Sequence, residues 1–477
     1  MSKKNENKFY IKTFGCQMNE YDSEIVQRIL TERGFEQTKT EEEADIIMLN
    51  TCSIRENAHQ KVYSTIRNVR AKISGRRPTI GILGCMATNL RQSLLDDPHI
   101  RIDFMAGPDN YRRLPELIDS SLAENKRLFE IHLSDHYAYD DIVPLRREGV
   151  NAWITVMKGC DNFCTFCVVP FTRGREYSRL PENIIREAAI LAAEGFRQVT
   201  LLGQNVNSYR HGNVDFADLV SEVSRVDGID LIRFTSPHPK DFPLKLLKLV
   251  EENPKVARHK HLPPQAGSDR ILSLMNRTYT KEEFLNLTLE IRKVCPDIAL
   301  STDIIIGFPT ETDEEFEETV EVMRQVQFDA AFIFNYSERE GTIAKRKFSD
   351  DVPAHVKKER IIKLNNIQRS ISLAKNSFHI GKIQRVLIEK ESTARSDTDY
   401  QARNEGNTIV IIPKGPYREG DFIDVEITDA TPNVLKGVAC VTAKNENSVC
   451  SDGYGSGYRQ KYAKKPPVHQ TSQGKGG

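Results

Sequence analysis

Cys160-Asp161-Asn162-Phe163-Cys164-Thr165-Phe166-Cys167 places three thiols within eight residues. The stretch directly follows an apolar run at 153–157 that reads as a β-strand. Three thiolates this close can wrap an iron–sulfur cluster in one loop. A closed four-iron cluster takes four thiolates, so three leave one iron open to bind something else. Zinc in a structural site takes four protein ligands, and no further Cys-x-x-Cys stands elsewhere in the sequence to complete such a set.

Downstream of this loop, apolar runs recur at 198–202, 231–235, 259–262, 299–304 and 331–335, separated by helical patterns such as 181–194 and 281–294. Thr312-Asp313-Glu314-Glu315 reads as a capping box that starts another helix. Six strand–helix units between residues 146 and 376 fit a partial (β/α)6 barrel.

Upstream, three more apolar runs at 9–14, 44–50 and 79–83 alternate with helical segments, one of them expected over 22–33. This is the pattern of a parallel sheet covered on both faces. Each run ends beside a cysteine: Phe14-Gly15-Cys16, Asn50-Thr51-Cys52 and Leu83-Gly84-Cys85. The carboxyl ends of parallel strands share one edge, so the three thiols should face one crevice, with Gly15 and Gly84 letting the backbone approach a bulky cluster. Three buried core cysteines are the competing explanation, since free cysteine is among the most buried residue types. From residue 383 five short strands, at 384–389, 400–403, 408–412, 422–427 and 435–440, suggest a small β-barrel of the oligonucleotide-binding kind. Residues 443–477 are polar and read as a disordered tail.

The fold class is thus α/β, in three parts: a parallel sheet domain at 7–123, a partial barrel at 146–376 and a small β-barrel at 379–442. The chain has 477 residues, 67 Lys+Arg against 67 Asp+Glu, and nine cysteines. Zero net charge excludes a uniformly basic nucleic-acid binder but not local basic patches. Nine scattered cysteines exclude a secreted disulfide scaffold. Residues 1–8 lack the apolar core of a secretory signal, and no apolar stretch approaches the ~20 residues of a membrane span. A cytoplasmic, membrane-free protein is expected.

The C-x3-C-x2-C loop, with an aromatic residue before its last cysteine, resembles that of the radical S-adenosylmethionine enzymes. The order of parts, with Thr13-Phe14-Gly15-Cys16-Gln17-Met18-Asn19, Asn50-Thr51-Cys52-Ser53, Gly84-Cys85-Met86-Ala87, Thr172-Arg173-Gly174-Arg175-Glu176 and Gly203-Gln204-Asn205-Val206-Asn207, is similar to the methylthiotransferases of that superfamily. The Gly-Cys-Gln-Met-Asn stretch resembles the branch acting on isopentenyl-adenosine in tRNA. Pro264, Ala266, Thr88 and Thr310 depart from that branch's usual residues and remove no cysteine.

The resemblance implies two [4Fe-4S] clusters. One, on Cys160, Cys164 and Cys167, would generate a radical from S-adenosylmethionine; the other, on Cys16, Cys52 and Cys85, would give up sulfur. Phe166 would contact the adenine of S-adenosylmethionine. Gln204, Asn205 and Asp303, near barrel strand ends, are further cofactor-binding candidates, with His238, Gln265 and Tyr336 beside them. Cofactor-borne radical chemistry leaves no side chain as the catalytic acid or base, because adenine carbon 2 carries no acidity such a group could use. The resemblance further implies a monomer, a tRNA anticodon stem-loop as substrate and an external one-electron donor such as a flavodoxin-type protein. The alternatives are another modified adenosine, such as threonylcarbamoyl-adenosine, or a noncatalytic iron–sulfur RNA-binding protein.

The C-terminal barrel resembles a TRAM RNA-binding domain, although residues 383–442 carry seven basic against ten acidic residues. Arg385 or Arg403 would have to make its RNA contacts. Basic stretches at 58–95 and 354–382 are candidate phosphate contacts. In the second, apolar residues at helical spacing put the basic ones on the outer face. Cys295, Cys440 and Cys450 match no triad.

Overall fold

Near-continuous apolar strands require cover on both faces, and the N-terminal sheet supplies it. A computed structural model describes residues 7–53, 56–72, 77–97, 100–124, 127–136, 139–146, 149–235 and 238–440. Cys450 and the tail expected at 443–477 lie outside these residues. Six parallel strands run in the spatial order Glu36–Gln37, Lys8–Phe14, Ile46–Thr51, Thr79–Leu83, Phe104–Ala106, Leu128–Glu130. Ile46 and Met48 enter one core while Ile47 and Leu49 enter the other, the alternation that a doubly covered strand demands. The three apolar runs read from the sequence are the neighbouring strands Lys8–Phe14, Ile46–Thr51 and Thr79–Leu83. The other three are two or three residues long, too short to show a period.

The helix expected to start at residue 22 spans Gln17–Glu32. Asn19 Oδ1 accepts the Cys16 backbone N–H at 3.4 Å, so Cys16 takes the N-cap position and the helix begins right after it.

The central strands are Asn151–Thr155, Gln198–Leu202, Leu231–Phe234, His259–His261, Ala299–Ile306 and Ala330–Asn335. They form two three-stranded parallel sheets, tied between the third and fourth strands by the Ile232–Val256 bridge. Among the described residues no pairing joins the last strand to the first, so the barrel stays open. The capping box forms: Thr312 Oγ1 accepts the Glu315 N–H at 3.3 Å, and Glu315 Oε2 accepts the Thr312 N–H at 2.9 Å.

The C-terminal strands Ile383–Lys390, Asp399–Asn404, Ile409–Pro413, Val434–Ala439 and Phe422–Ala430 close into a barrel in that order. Arg233, on the third central strand, donates to the Asn404 and Glu405 carbonyls at 2.7 and 3.0 Å and fixes the small barrel against the large one. Arg403 is held by Glu389 at 2.7 Å, whereas Arg385 lies exposed over the Phe422 ring.

The helix Ala354–Ser377 departs from expectation. Lys357 and Arg360 are buried, not outward, and pair with Asp350 and with Glu311 and Asp313; Lys363 and Lys375 pair with Glu317 and Asp329. Four of this stretch's seven basic residues therefore clamp the helix to the barrel. Charge counting along a sequence misses this because the carboxylates come from other elements.

Candidate active site

The first three cysteines stand at the carboxyl ends of three adjacent strands. The structure brings them together. Cys52 hydrogen-bonds to Cys16 and, as the largest influence, pulls its thiol down to about 6, while burial pushes the Cys85 thiol up. Asn19 and Asn50 form the floor beneath them: Asn19 Nδ2 donates to Asn50 Oδ1 at 3.1 Å, and Asn50 Nδ2 to the Asn19 carbonyl at 2.8 Å. A Cβ on Gly84 would lie 2.4 Å from Asn50 Oδ1, and one on Gly15 2.5 Å from Asn19 Oδ1. These glycines make room for the asparagine floor.

The second triad is shaped from a distance. Thr165, between Cys164 and Cys167, donates through its N–H to the Met275 carbonyl at 3.0 Å and through its hydroxyl to Leu274 O at 2.8 Å. Its own carbonyl accepts from the Ala344 N–H at 2.7 Å. Asn276 holds the Asn162 and Phe163 carbonyls. Burial is the main cause that pushes the Cys160 thiol up to about 11 and the Cys167 thiol to about 12, with neighbouring thiols of the triad adding to it.

Each triad also holds an arginine that spacing did not single out as a contact. Arg277 Nη1 lies 3.4 Å from Cys164 Sγ. Arg173 Nε lies 3.2 Å from Cys85 Sγ, and its Nη2 2.7 Å from Asp22 Oδ2. Arg173 comes only six residues after Cys167, and the intervening helix Val169–Thr172 packs on the helix Cys85–Asn89. Six residues reach at most about 20 Å, so the contact of Arg173 with Cys85 limits how far apart the two triads can lie. A buried network reinforces the junction. Arg179 bonds Glu187, Tyr21 and Asp140, while Arg146 bridges Glu187 and Glu24.

Residues 8–107 match the uncharacterized protein family UPF0004, 154–323 the radical SAM superfamily and 378–440 the TRAM domain. The tRNA-2-methylthio-N(6)-dimethylallyladenosine synthase of Amoebophilus asiaticus is 42% identical over 451 residues, covering 90% of this chain and 92% of that one. The protein of the same name from Chloroherpeton thalassium is 44% identical over 434 residues, covering 90% and 95%. The chain belongs to the tRNA-2-methylthio-N(6)-dimethylallyladenosine synthase family. A solved radical S-adenosylmethionine methyltransferase, TsrM from Kitasatospora setae, shares the fold. Its TM-score is 0.55 at 13% identity, covering 72% of this chain and 74% of that one.

Membership of this radical enzyme family brings S-adenosylmethionine and [4Fe-4S] clusters as cofactors. The donor sets fit them. Each triad offers three sulfurs, the number that leaves one iron of a four-iron cluster open. At the barrel mouth Gln204 Oε1, His238 Nε2 and Tyr336 Oη are buried without a hydrogen-bond partner. Leaving such an atom unpaired costs about 1–3 kcal/mol, which a bound ligand recovers.

The other candidates have contacts of their own within the fold. Asn205 Oδ1 accepts the His238 backbone N–H at 3.1 Å, a loop-holding bond, and Asp303 Oδ2 sits 3.0 Å from His261 Nε2. Phe166 is half-buried against the central core. Gln265 has positive φ, and its backbone N–H donates to the Asp303 carbonyl. Cys295 is fully buried in the core. No helix of the described residues is long and apolar enough to cross a membrane.

Phe332 and Phe334 carry no sequence signal of their own. They share the inner barrel face with Asp303, since their strand neighbours Ala331 and Ile333 pack outward against helices, and both rings stay exposed.

Proposed function

We propose that this chain methylthiolates carbon 2 of isopentenyl-adenosine beside the anticodon of tRNA, in the cytoplasm, as a monomer served by an external one-electron donor such as a flavodoxin-type protein. In this reading 7–123, 146–376 and 379–442 are its sulfur-donating, radical and RNA-binding domains. Cys160, Cys164 and Cys167 hold the cluster at which S-adenosylmethionine binds. Cys16, Cys52 and Cys85 hold the cluster that gives up sulfur. When bound, these groups supply the radical that activates the C–H bond, the methyl group and the sulfur atom.

The chain's own side chains bind and orient. Arg173 carries the reading: it belongs to the radical segment yet bonds Cys85 and Asp22 of the N-terminal part, a link that supports both thiol groups serving one substrate position. Gln204, His238 and Tyr336 offer unpaired polar atoms to the cofactor or base. Phe332 and Phe334 offer ring faces on which an unpaired base can stack, a contact worth about 1–3 kcal/mol. Exposed Arg385 offers its charge to phosphate.

Nucleoside mass spectrometry of tRNA from a deletion strain, with and without the restored gene, tests the reading. Isopentenyl-adenosine lacking its methylthio group, returned to the 2-methylthio form by the gene, is the expected result. Unchanged 2-methylthio-isopentenyl-adenosine in the deletion strain would overturn it.

A further inference from the structure

The two buried guanidiniums differ in what else they hold. Arg173 touches Cys85 but is paired with Asp22, a buried carboxylate at 2.7 Å, which offsets part of its charge at the first triad. Arg277 touches Cys164, and its other bonds go to neutral groups. Nε donates to the Tyr279 hydroxyl at 2.9 Å and Nη2 to the Pro263 carbonyl at 2.7 Å. Among the described residues no carboxylate is paired with it. His238, whose ring packs against Tyr279, is kept uncharged at neutral pH by burial, which lowers its pKa to about 3. A whole positive charge therefore stands against one thiol of the second triad, buried, where Coulomb interactions are weakly screened.

Net charge and hydrogen bonds to sulfur are among the factors that set a cluster's reduction potential. One-electron reduction adds negative charge, which a fixed cation at 3.4 Å from a ligand sulfur favours and a neutral ion pair favours much less. We infer that Arg277 raises the reduction potential of the centre on Cys160, Cys164 and Cys167, whereas Arg173, offset in part by Asp22, lifts the centre on Cys16, Cys52 and Cys85 less. The inference rests on the proposed reading of the six cysteines as cluster ligands. Arg277 acts through the ligand sulfur, as a positioning and tuning residue.

The test uses the full chain, reconstituted anaerobically, in two forms that each keep one triad, the other being changed to alanine. Mediated titration with dithionite as the electron source, followed by electron paramagnetic resonance, gives each midpoint. In the form keeping the second triad, Arg277→Gln lowers the midpoint by about 59 mV or more, a tenfold weaker hold on one electron. Arg277→Lys, which keeps the charge, restores most of the shift. In the form keeping the first triad, Asp22→Asn releases the charge of Arg173 and raises the midpoint.

Iron-loaded Arg277→Gln protein with an unmoved midpoint overturns the inference, as does failure of Arg277→Lys to restore it. Should Arg277→Gln fail to load, an unmoved midpoint in Asp22→Asn overturns it equally. A one-triad form that takes up no iron overturns the cysteine reading, and the inference with it. Iron content therefore reports on the reading and the potentials report on the arginines.

Discussion

The two thiol groups reach similar ends by opposite routes. Cys160, Cys164 and Cys167 lie in one loop, so their proximity is written into local spacing. Cys16, Cys52 and Cys85 are spread over 70 residues and meet only because three parallel strands end on one edge. Yet the local loop is the one shaped by remote segments, through Thr165 and Asn276. The dispersed group is shaped by its own neighbours, through the Asn19–Asn50 floor. Short sequence separation supplies proximity; it does not supply shape.

The largest expected effect separates the two groups by function. Changing Cys160, Cys164 and Cys167 to alanine should reduce reductive cleavage of S-adenosylmethionine to background, measured as 5′-deoxyadenosine released. Changing Cys16, Cys52 and Cys85 instead should leave that release within a few-fold of the parent and abolish the methylthio product. Methylthiolated tRNA from this second variant would break the division of labour.

Each group also has a glycine at positive φ just before one cysteine, and their surroundings rank the two. A Cβ on Gly159 (φ +77°) would sit 2.0 Å from the Arg175 carbonyl oxygen, a backbone atom with little freedom to move. Gly84 (φ +83°) faces mainly an Asn50 side-chain atom at 2.4 Å, with the Thr51 carbonyl at 2.8 Å. Gly159→Ala should therefore cost more than about 3 kcal/mol, and Gly84→Ala about 1–3 kcal/mol. Urea unfolding of both variants measures the order, and a reversed ranking would show that the asparagine floor is the stiffer of the two.

A pH-dependent effect concerns the junction between the groups. Burial outweighs the nearby Arg146 charge and holds the Glu24 carboxyl up to about 8 in the fold, against an ordinary value near 4.5. Between these pH values the folded chain keeps a proton that the unfolded chain has released. The contribution is complete below pH 4.5 and is lost as pH rises through 8. Glu24→Gln should flatten the fall in urea midpoint between pH 5 and 8.5. Parallel profiles for variant and parent would mean that Glu24 is ionised in the fold.

Most of the frame was legible in the residues. The six cysteines, the six central strands and the five C-terminal strands each carry a local signal: spacing, apolar runs or turn residues. Arg277 was not legible as a cluster neighbour, because it reaches Cys164 across 113 residues. Arg173 could be quoted as part of a motif, but its contact with Cys85 needs two domains in place. Asn205 was legible as a residue at a strand end, but the bond its side-chain oxygen accepts from the His238 backbone N–H needs the fold in place. Lys357 and Arg360 read as solvent-facing because their carboxylate partners belong to other elements.

The hold of Leu274, Met275 and Ala344 on Thr165 has a consequence for biogenesis. The ribosome releases Cys167 long before Ala344, and at about 5–20 residues per second the interval is roughly 10–35 s. Throughout that time the three sulfurs hang on an unshaped segment, open to oxidants and to stray ions. In the proposed reading, iron insertion into this loop therefore waits until the chain has been made past Ala344.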